Sequence, residues 1–399
     1  MKDKLIKTIS DKRIIIAIYI LFALGASVQS LIGTKTYHDG GIVYNRYNNY
    51  TIFEKSFEHL KNQQDLYVLY PEEHWDLYKY TPTFSVFFAC FNILPDWLGL
   101  SLWNLLNALV LLFAIYYLPR LSLYQKGLIL LIVLIELMTS MQNQQSNALI
   151  AGLIVLSFGL LERDKSFWAT LCIVFSVFIK LFGLVGFALF LFYPKKWRSA
   201  LYALFWTGLL LILPLIFVDF EQYTRLFNSY LNLLANDHDA SYGYSVMGWL
   251  NSWFAIDINK NIVVATGALI FLLPFYKIKM YGEYTFKYLI MSSILIWIVI
   301  FNHKAESPTF ILAMTGVALW FIQCKKTKLN IILFVTAFIL TTLSPTDIFP
   351  RYLREEFVKP YVLKAFPCIL IWIKIIYDTL ILKEERPLPT ARALKQIVN

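Results

Sequence analysis

Charge is what this 399-residue chain has least of: Asp, Glu, Lys and Arg make up 16% of it, while 58% is apolar and mean hydropathy is +0.58. No water-soluble fold hides that proportion of apolar surface. Cysteine is also sparse. Cys90, Cys172, Cys324 and Cys368 lie in or beside apolar runs without metal-ligand spacing, which excludes a disulfide framework and a cysteine metal site and leaves small hydrophobes. No glycine-rich phosphate loop interrupts the chain, so nothing points to a nucleotide. No soluble domain, linker or internal repeat is visible, and the alternating pattern of a membrane β-barrel is missing.

What is present is oil in long blocks. Runs such as 127–136, 201–218 and 331–343 carry almost no charge, and successive stretches approach the roughly 20 residues that a bilayer core requires. The expected fold is all-α, a polytopic helical integral membrane protein of about 12 transmembrane segments, one domain over residues 1–399 with a long first external loop. Aromatics reach 17%, suited to anchoring at the interfaces. The net charge of +10 resides in short connections, where it sets orientation, so nucleic acid is excluded as a partner and the lipid bilayer takes its place.

Basic residues from Lys2 to Arg13 place the N-terminus in the cytoplasm, with 14–32 as an uncleaved first span. The patches 195–198, 277–287, 325–328 and 386–395 assign the cytoplasm likewise, the C-terminus included, and leave 219–260, 302–308 and 344–360 outside. That alternation makes 166–193 a pair of short helices meeting near Lys180, and 81–94 a re-entrant or interfacial helix. A rival parity makes each a single span, but strands Arg120, Lys126, Arg163 and Lys165 on the outer face.

The external loop 33–80 is the most polar part of the chain and too long for a simple connection. Within it Tyr50, Phe53, Phe57 and Leu60 share the spacing of one helix face, predicting an amphipathic helix on the membrane surface. Its carboxylates supply candidate bases: Asp65 and Asp39 lead, flanking the helix that Asn49 opens, and Asp76 follows, whereas Glu54 and Glu58 decorate the wet face of the helix. Three further polar features fall on the same side. The run Gln142–Asn147 is either a capped polar turn or a set of paired amides suited to sugar hydroxyls. Lys180, in an apolar stretch, either pairs with Glu136 or holds an anionic lipid phosphate. His303 and Lys304 are either a snorkelling loop pair or part of the same cationic pocket.

Taken in order, these features resemble glycosyltransferase family 87, which includes polyprenyl-phosphate-mannose-dependent mannosyltransferases of C-type fold. Asn49-Tyr-Thr-Ile-Phe, Asp65-Leu-Tyr67 and Tyr80-Thr-Pro82 resemble its acidic residue with aromatic helix, its Asp-x-Tyr and its Tyr-x-Pro. Gln145-Ser-Asn147, Lys180 before Lys195-Lys-Trp-Arg198, Ser245 to Gly248, and His303-Lys304 follow at matching places. The resemblance implies inverting transfer of a mannose-like sugar from a polyprenyl phosphate to a lipid or glycan acceptor outside the cytoplasm. A cell-envelope setting, such as a bacterial inner membrane, is expected, with no cofactor and no metal-ligating residues singled out. Substrate contacts are expected from Asn49, Lys79, Gln145, Asn147, Lys180, His303 and Lys304. Asn49 stands where the family has its proposed aspartate base, and a carboxamide cannot take up a proton at neutral pH. A flippase or transporter with Lys180, Glu136 and the Gln/Asn run along its path is the competing expectation.

Overall fold

The computed structural model of the chain describes residues 2–36, 41–236 and 241–383. They are overwhelmingly helical, with one small hairpin. Helices α1 (Lys2–Ser10) and α2 (Lys12–Leu31) open the chain, and the antiparallel strands β1 (Thr34–Thr36) and β2 (Val43–Asn45) pair with Lys35 opposite Tyr44. The rest of the first loop holds α3 (Asn48–Lys61), then α4 (Pro82–Phe87) and α5 (Ala89–Asn92). Next come α6 (Asp96–Tyr117), α7 (Leu123–Gln142), α8 (Asn147–Leu161) and α9 (Ser166–Ile179), a run of 3-10 turns over Leu181–Phe192, and α10 (Lys196–Ile212). The C-terminal half contains α11 (Phe220–Asn236), α12 (Val246–Phe254), α13 (Lys260–Leu272), α14 (Tyr284–Ile300), α15 (Phe310–Gln323), α16 (Lys328–Ala337), the single turn α17 (Arg351–Leu353) and α18 (Phe366–Ile381).

Among the described residues four helices are long and apolar enough to cross a membrane: Lys12–Leu31, Asp96–Tyr117, Leu123–Gln142 and Lys196–Ile216, at 20 to 22 residues. At about 1.5 Å per residue they match a hydrocarbon core of about 30 Å. Seven shorter apolar helices of 10–17 residues accompany them, where about 12 transmembrane segments were expected. Such short pieces fit a bundle only where neighbours bury them, and α8, α14 and α15 are indeed interior helices, apolar and covered nearly all round. By contrast the span Lys196–Ile216 turns Leu204 and Ile216 outward, each 70% exposed, as a lipid-facing helix does. Close approach is bought with small residues: a Cβ at Gly316 on α15 would come within 2.7 Å of the Ser292 carbonyl on α14.

Two buried lysines in this interior are paired with carboxylates. Lys364 and Glu136 meet at 2.8 Å with both side chains buried, and Lys287 meets Glu162 at 2.7 Å. Glu136 therefore serves Lys364 and not Lys180. The reason is topological: the pairing crosses 228 residues and no local pattern announces it.

Helix α3 takes the expected face, with Tyr50, Phe53, Phe57 and Leu60 buried. What covers that face is protein, however. Phe53 packs edge-on against Tyr80, Phe84 and Trp103, with centroids at 4.8, 5.4 and 5.9 Å. The Tyr50 hydroxyl occupies the space where Gly99 would otherwise carry a Cβ. An amphipathic pattern specifies an apolar stripe and leaves open whether lipid or protein covers it.

Candidate active site

The site begins at a broken helix. α9 stops at Ile179, Lys180 adopts an extended backbone (φ −143°, ψ 132°), and the chain resumes as 3-10 turns from Leu181. The break takes Lys180 off the helical path. Its ammonium donates to Gln145 Oε1 at 3.1 Å and to Asn147 Oδ1 at 3.0 Å, and lies 5.4 Å from the Tyr80 ring centroid. Among the described residues no carboxylate forms an ion pair with it, unlike Lys287 and Lys364.

The two amides are held in place from behind. Between α7 and α8 the chain turns through Gln144 in a left-handed conformation (φ 48°). The Trp103 indole donates to the Gln144 carbonyl at 2.8 Å, and the Gln144 side chain donates to Ser30 Oγ at 3.1 Å. Asn49 joins the same turn, its side-chain amide donating to the Asn143 carbonyl at 2.8 Å. The run Gln142–Asn147 is thus a pinned turn that presents Gln145 and Asn147 to Lys180.

The first loop closes the site from the other side. Thr81 caps α4 and donates to the Phe178 carbonyl at 2.5 Å, just before the break, which seats Tyr80 against Lys180. The Tyr80 hydroxyl lies 3.4 Å from Gln145 Oε1 and from Ser146 Oγ. Burial pushes the Tyr80 phenol above its ordinary range. The Ser146 hydrogen bond opposes that shift, while the fields of Glu306 and Asp76 add to it. Glu306 and Lys79 are within electrostatic reach of Lys180 as well.

The loop aspartates occupy different settings. Asp76 accepts from the Leu77 amide at 2.7 Å and from Lys79 at 3.2 Å, and its side chain is half exposed. Asp65 has both oxygens engaged, by the Tyr67 amide at 3.0 Å and by the Ser229 hydroxyl of α11 at 2.8 Å. Asp39 lies outside the described residues. Glu54 is half-buried and held up at about 7, by burial first and then by Asp96, with Lys55 opposing and Glu58 adding. It is no wet-face ornament, because α3 docks on protein and takes Glu54 with it.

His303 and Lys304 sit in the loop after α14. Gly243 fits beneath it at φ +50°, where a Cβ would come within 2.7 Å of the His303 carbonyl, and the Tyr244 amide donates to Ala305 at 2.9 Å. Lys304 lines a cavity of about 360 Å³ with Glu306, Ser307 and Lys359. A larger cavity of about 760 Å³ opens beside the pinned turn at Gln142 and Asn143, with Arg46, Arg354, Lys359 and Lys364 in its wall. Glu306 and these cations were not singled out from the sequence. Glu306 stands in the short polar run 302–307 beside His303 and Lys304, which was the available signal. Among the described residues no three His, Cys, Asp or Glu side chains are grouped to hold a metal ion.

Chemically, the amides hold an ammonium without cancelling its charge, since their carbonyls are neutral acceptors. A cation so placed remains available to an anion, next to carboxylates able to receive a proton.

The family model described as glycosyltransferase family 87 matches residues 78–345, about two thirds of the chain. The match begins after Asn49, Asp65 and Asp76. No curated protein matches the sequence. Among solved structures, ArnT from Cupriavidus metallidurans bound to undecaprenyl phosphate is similar with a TM-score of 0.43 and 13% identity, over 93% of this chain and 81% of that one. ArnT from the same organism in the apo state gives 0.42 and 15%, over 91% and 76%.

Proposed function

The chain belongs to glycosyltransferase family 87, and from that premise we propose that it moves a mannose-like sugar from a polyprenyl-phosphate donor to a lipid or glycan acceptor on the extracytoplasmic face, with inversion. The observation that carries this reading is Lys180, held by two neutral amides at a helix break instead of by a carboxylate. That arrangement suits an ammonium that binds the donor phosphate and then the departing one.

In this scheme the acceptor hydroxyl gives its proton to a carboxylate while its oxygen attacks the anomeric carbon. The bond from that carbon to the phosphate oxygen breaks with its electron pair, and polyprenyl phosphate leaves against Lys180, with Lys79, His303 and Lys304 adding positive field. Of the loop aspartates we assign the proton to Asp76, because it is half exposed and bonded to Lys79 close in sequence to Tyr80, whereas Asp65 is bonded to α11. Asp39 belongs in the same mutational series, and Glu306 is the second acid of the cluster. Gln145, Asn147 and Asn49 offer amide contacts for sugar or phosphate.

The test is the purified chain in nanodiscs with labelled polyprenyl-phospho-mannose and a mixed glycolipid pool. Release of polyprenyl phosphate coupled to acceptor labelling is expected. Movement of intact donor between leaflets with no release would replace the transferase reading by a transporter.

A further inference from the structure

Helix α11 presents three different faces. Gln222, Leu226, Ser229 and Tyr230 look toward the first loop. The Gln222 side chain donates to the Gln64 carbonyl at 3.0 Å, Ser229 donates to Asp65 at 2.8 Å, and the Tyr230 and Tyr67 ring centroids lie 5.4 Å apart. A second face, of Glu221, Arg225, Asn228 and Asn232, is polar and exposed, with Glu221 and Arg225 paired at 3.1 Å across one turn.

The third face recurs at 220, 224, 227, 231 and 235, the spacing of one side of a helix. It is apolar. Phe220, Phe227, Leu231 and Ala235 carry no polar group, and the Thr224 hydroxyl is turned back onto the Phe220 carbonyl at 2.9 Å. Phe220 is 73% exposed and Leu231 59%. Protein and water account for two faces of α11; an exposed apolar third face calls for a third medium.

The place of the helix identifies that medium. The span Lys196–Ile216 turns Leu204, Ile212 and Ile216 outward, and α11 follows with only residues 217–219 between. Phe217, itself exposed, carries the apolar surface of the span on to Phe220. Tyr223 holds the two helices together, its hydroxyl donating to the Leu211 carbonyl in the last turns of the span at 3.2 Å. The end of a membrane span lies at headgroup level. There α11 is tethered, its apolar side continuous with a lipid-facing one.

We propose that α11 is seated in the headgroup layer of the bilayer, with Phe220, Phe227 and Leu231 among the upper acyl segments and Glu221, Arg225, Asn228 and Asn232 in water. The partner of the third face is a lipid surface. Through Gln222, Ser229 and Tyr230 the seated helix carries the first loop, so its depth sets the height of Asp65 and Tyr67 above the hydrocarbon. It holds the membrane-surface position that the spacing of α3 suggested for α3, which docks on protein instead.

The experiment is spin labelling of the full chain in nanodiscs, and its readout is independent of sugar transfer. Thr224→Cys, Leu231→Cys, Asn228→Cys and Asn232→Cys are made singly in a chain lacking Cys90 and Cys324, and each receives a nitroxide. Collisions with oxygen, which concentrates in lipid, are compared with collisions with a water-soluble nickel chelate. Oxygen should dominate at 224 and 231, and the chelate at 228 and 232. Equal access of the chelate to all four positions would leave the apolar face in water and overturn the proposal. Low access of both reagents at 224 and 231 would place that face against protein and overturn it as well. Spin–spin broadening at those two positions that disappears on dilution with unlabelled chain would assign the face to a second copy in place of lipid.

Discussion

Lys364 and Glu136 form an ion pair at 2.8 Å with side chains 2% and 0% exposed, joining the segment before α18 to the middle of α7. Removing one partner leaves a buried charge uncompensated, which typically costs about 3–5 kcal/mol. Lys364→Met should therefore lower the thermal midpoint in detergent sharply. Adding Glu136→Gln should recover most of the loss, since no unpaired charge then remains. If the double variant melts no higher than the single, the pair is not the coupling that the geometry indicates.

Lys180→Met should behave differently, because its partners are amides and its loss strands no charge. Two acceptors become unpaired, so some stability goes, at about 1–3 kcal/mol for each buried group left unsatisfied. Sugar transfer should fall by at least about a hundredfold, as expected where a phosphate loses a preorganised cation. Comparing donor turnover with folded yield decides it. Collapse of yield together with turnover would make Lys180 a structural residue.

For the base, Asp76→Asn should reduce transfer by at least about a hundredfold with donor binding retained, the lower end of what a positioned general base contributes. Asp65→Asn keeps an oxygen for the Tyr67 amide and should leave turnover close to that of the unaltered chain. Asp39→Asn and Glu306→Gln complete the series. Full turnover in every one of these variants, with a gain on Asn49→Asp, would remove the transferase mechanism proposed for this chain.

Glu54 supplies a pH signature. Its carboxyl is raised from 4.5 to about 7, chiefly by burial, so between those values the folded state binds more protons than the unfolded state. Stability from this group must then fall as pH rises from about 4.5 to 7 and stay level above. Glu54→Gln should flatten that part of a melting-temperature profile and raise the midpoint at pH 8. An unchanged slope would assign the dependence elsewhere.

Orientation is testable by labelling. Cysteines at Asn62 and Ser307 should react with an impermeant thiol reagent in intact cells, and one at Lys326 should not, following the distribution of basic residues. Cys324 must be replaced first, and so must Cys90, which is exposed. Reaction at Lys326 alone would invert the assignment.

The membrane class, the interruption at Lys180 and the apolar face of α3 were legible because each is a local pattern of hydropathy or spacing. So was the company of Gln145 and Asn147, since two residues on one turn travel together. Three things were not. The partner of Glu136 arrives from 228 residues away. The cover over α3 depends on Tyr80, Phe84 and Trp103, whose placement no periodicity encodes. Asp65 and Asp76 look alike as letters, and only the position of Ser229 separates one bonded to a distant helix from one at the edge of the lysine cluster.

The bonds that fasten the first loop also set a timetable for biosynthesis. Thr81 needs the Phe178 carbonyl, Thr83 needs that of Leu210, and Asp65 needs Ser229, which lies 164 residues downstream. At about 5–20 residues per second of translation, that partner arrives roughly 8–33 seconds after Asp65 itself. For that interval the loop stands without its anchor on α11, although Tyr80, Phe84 and Trp103 are already made and cover the face of α3. A pause in translation before Ser229 would thus lengthen the time for which Asp65 waits for its partner and the loop stays fastened at one end only.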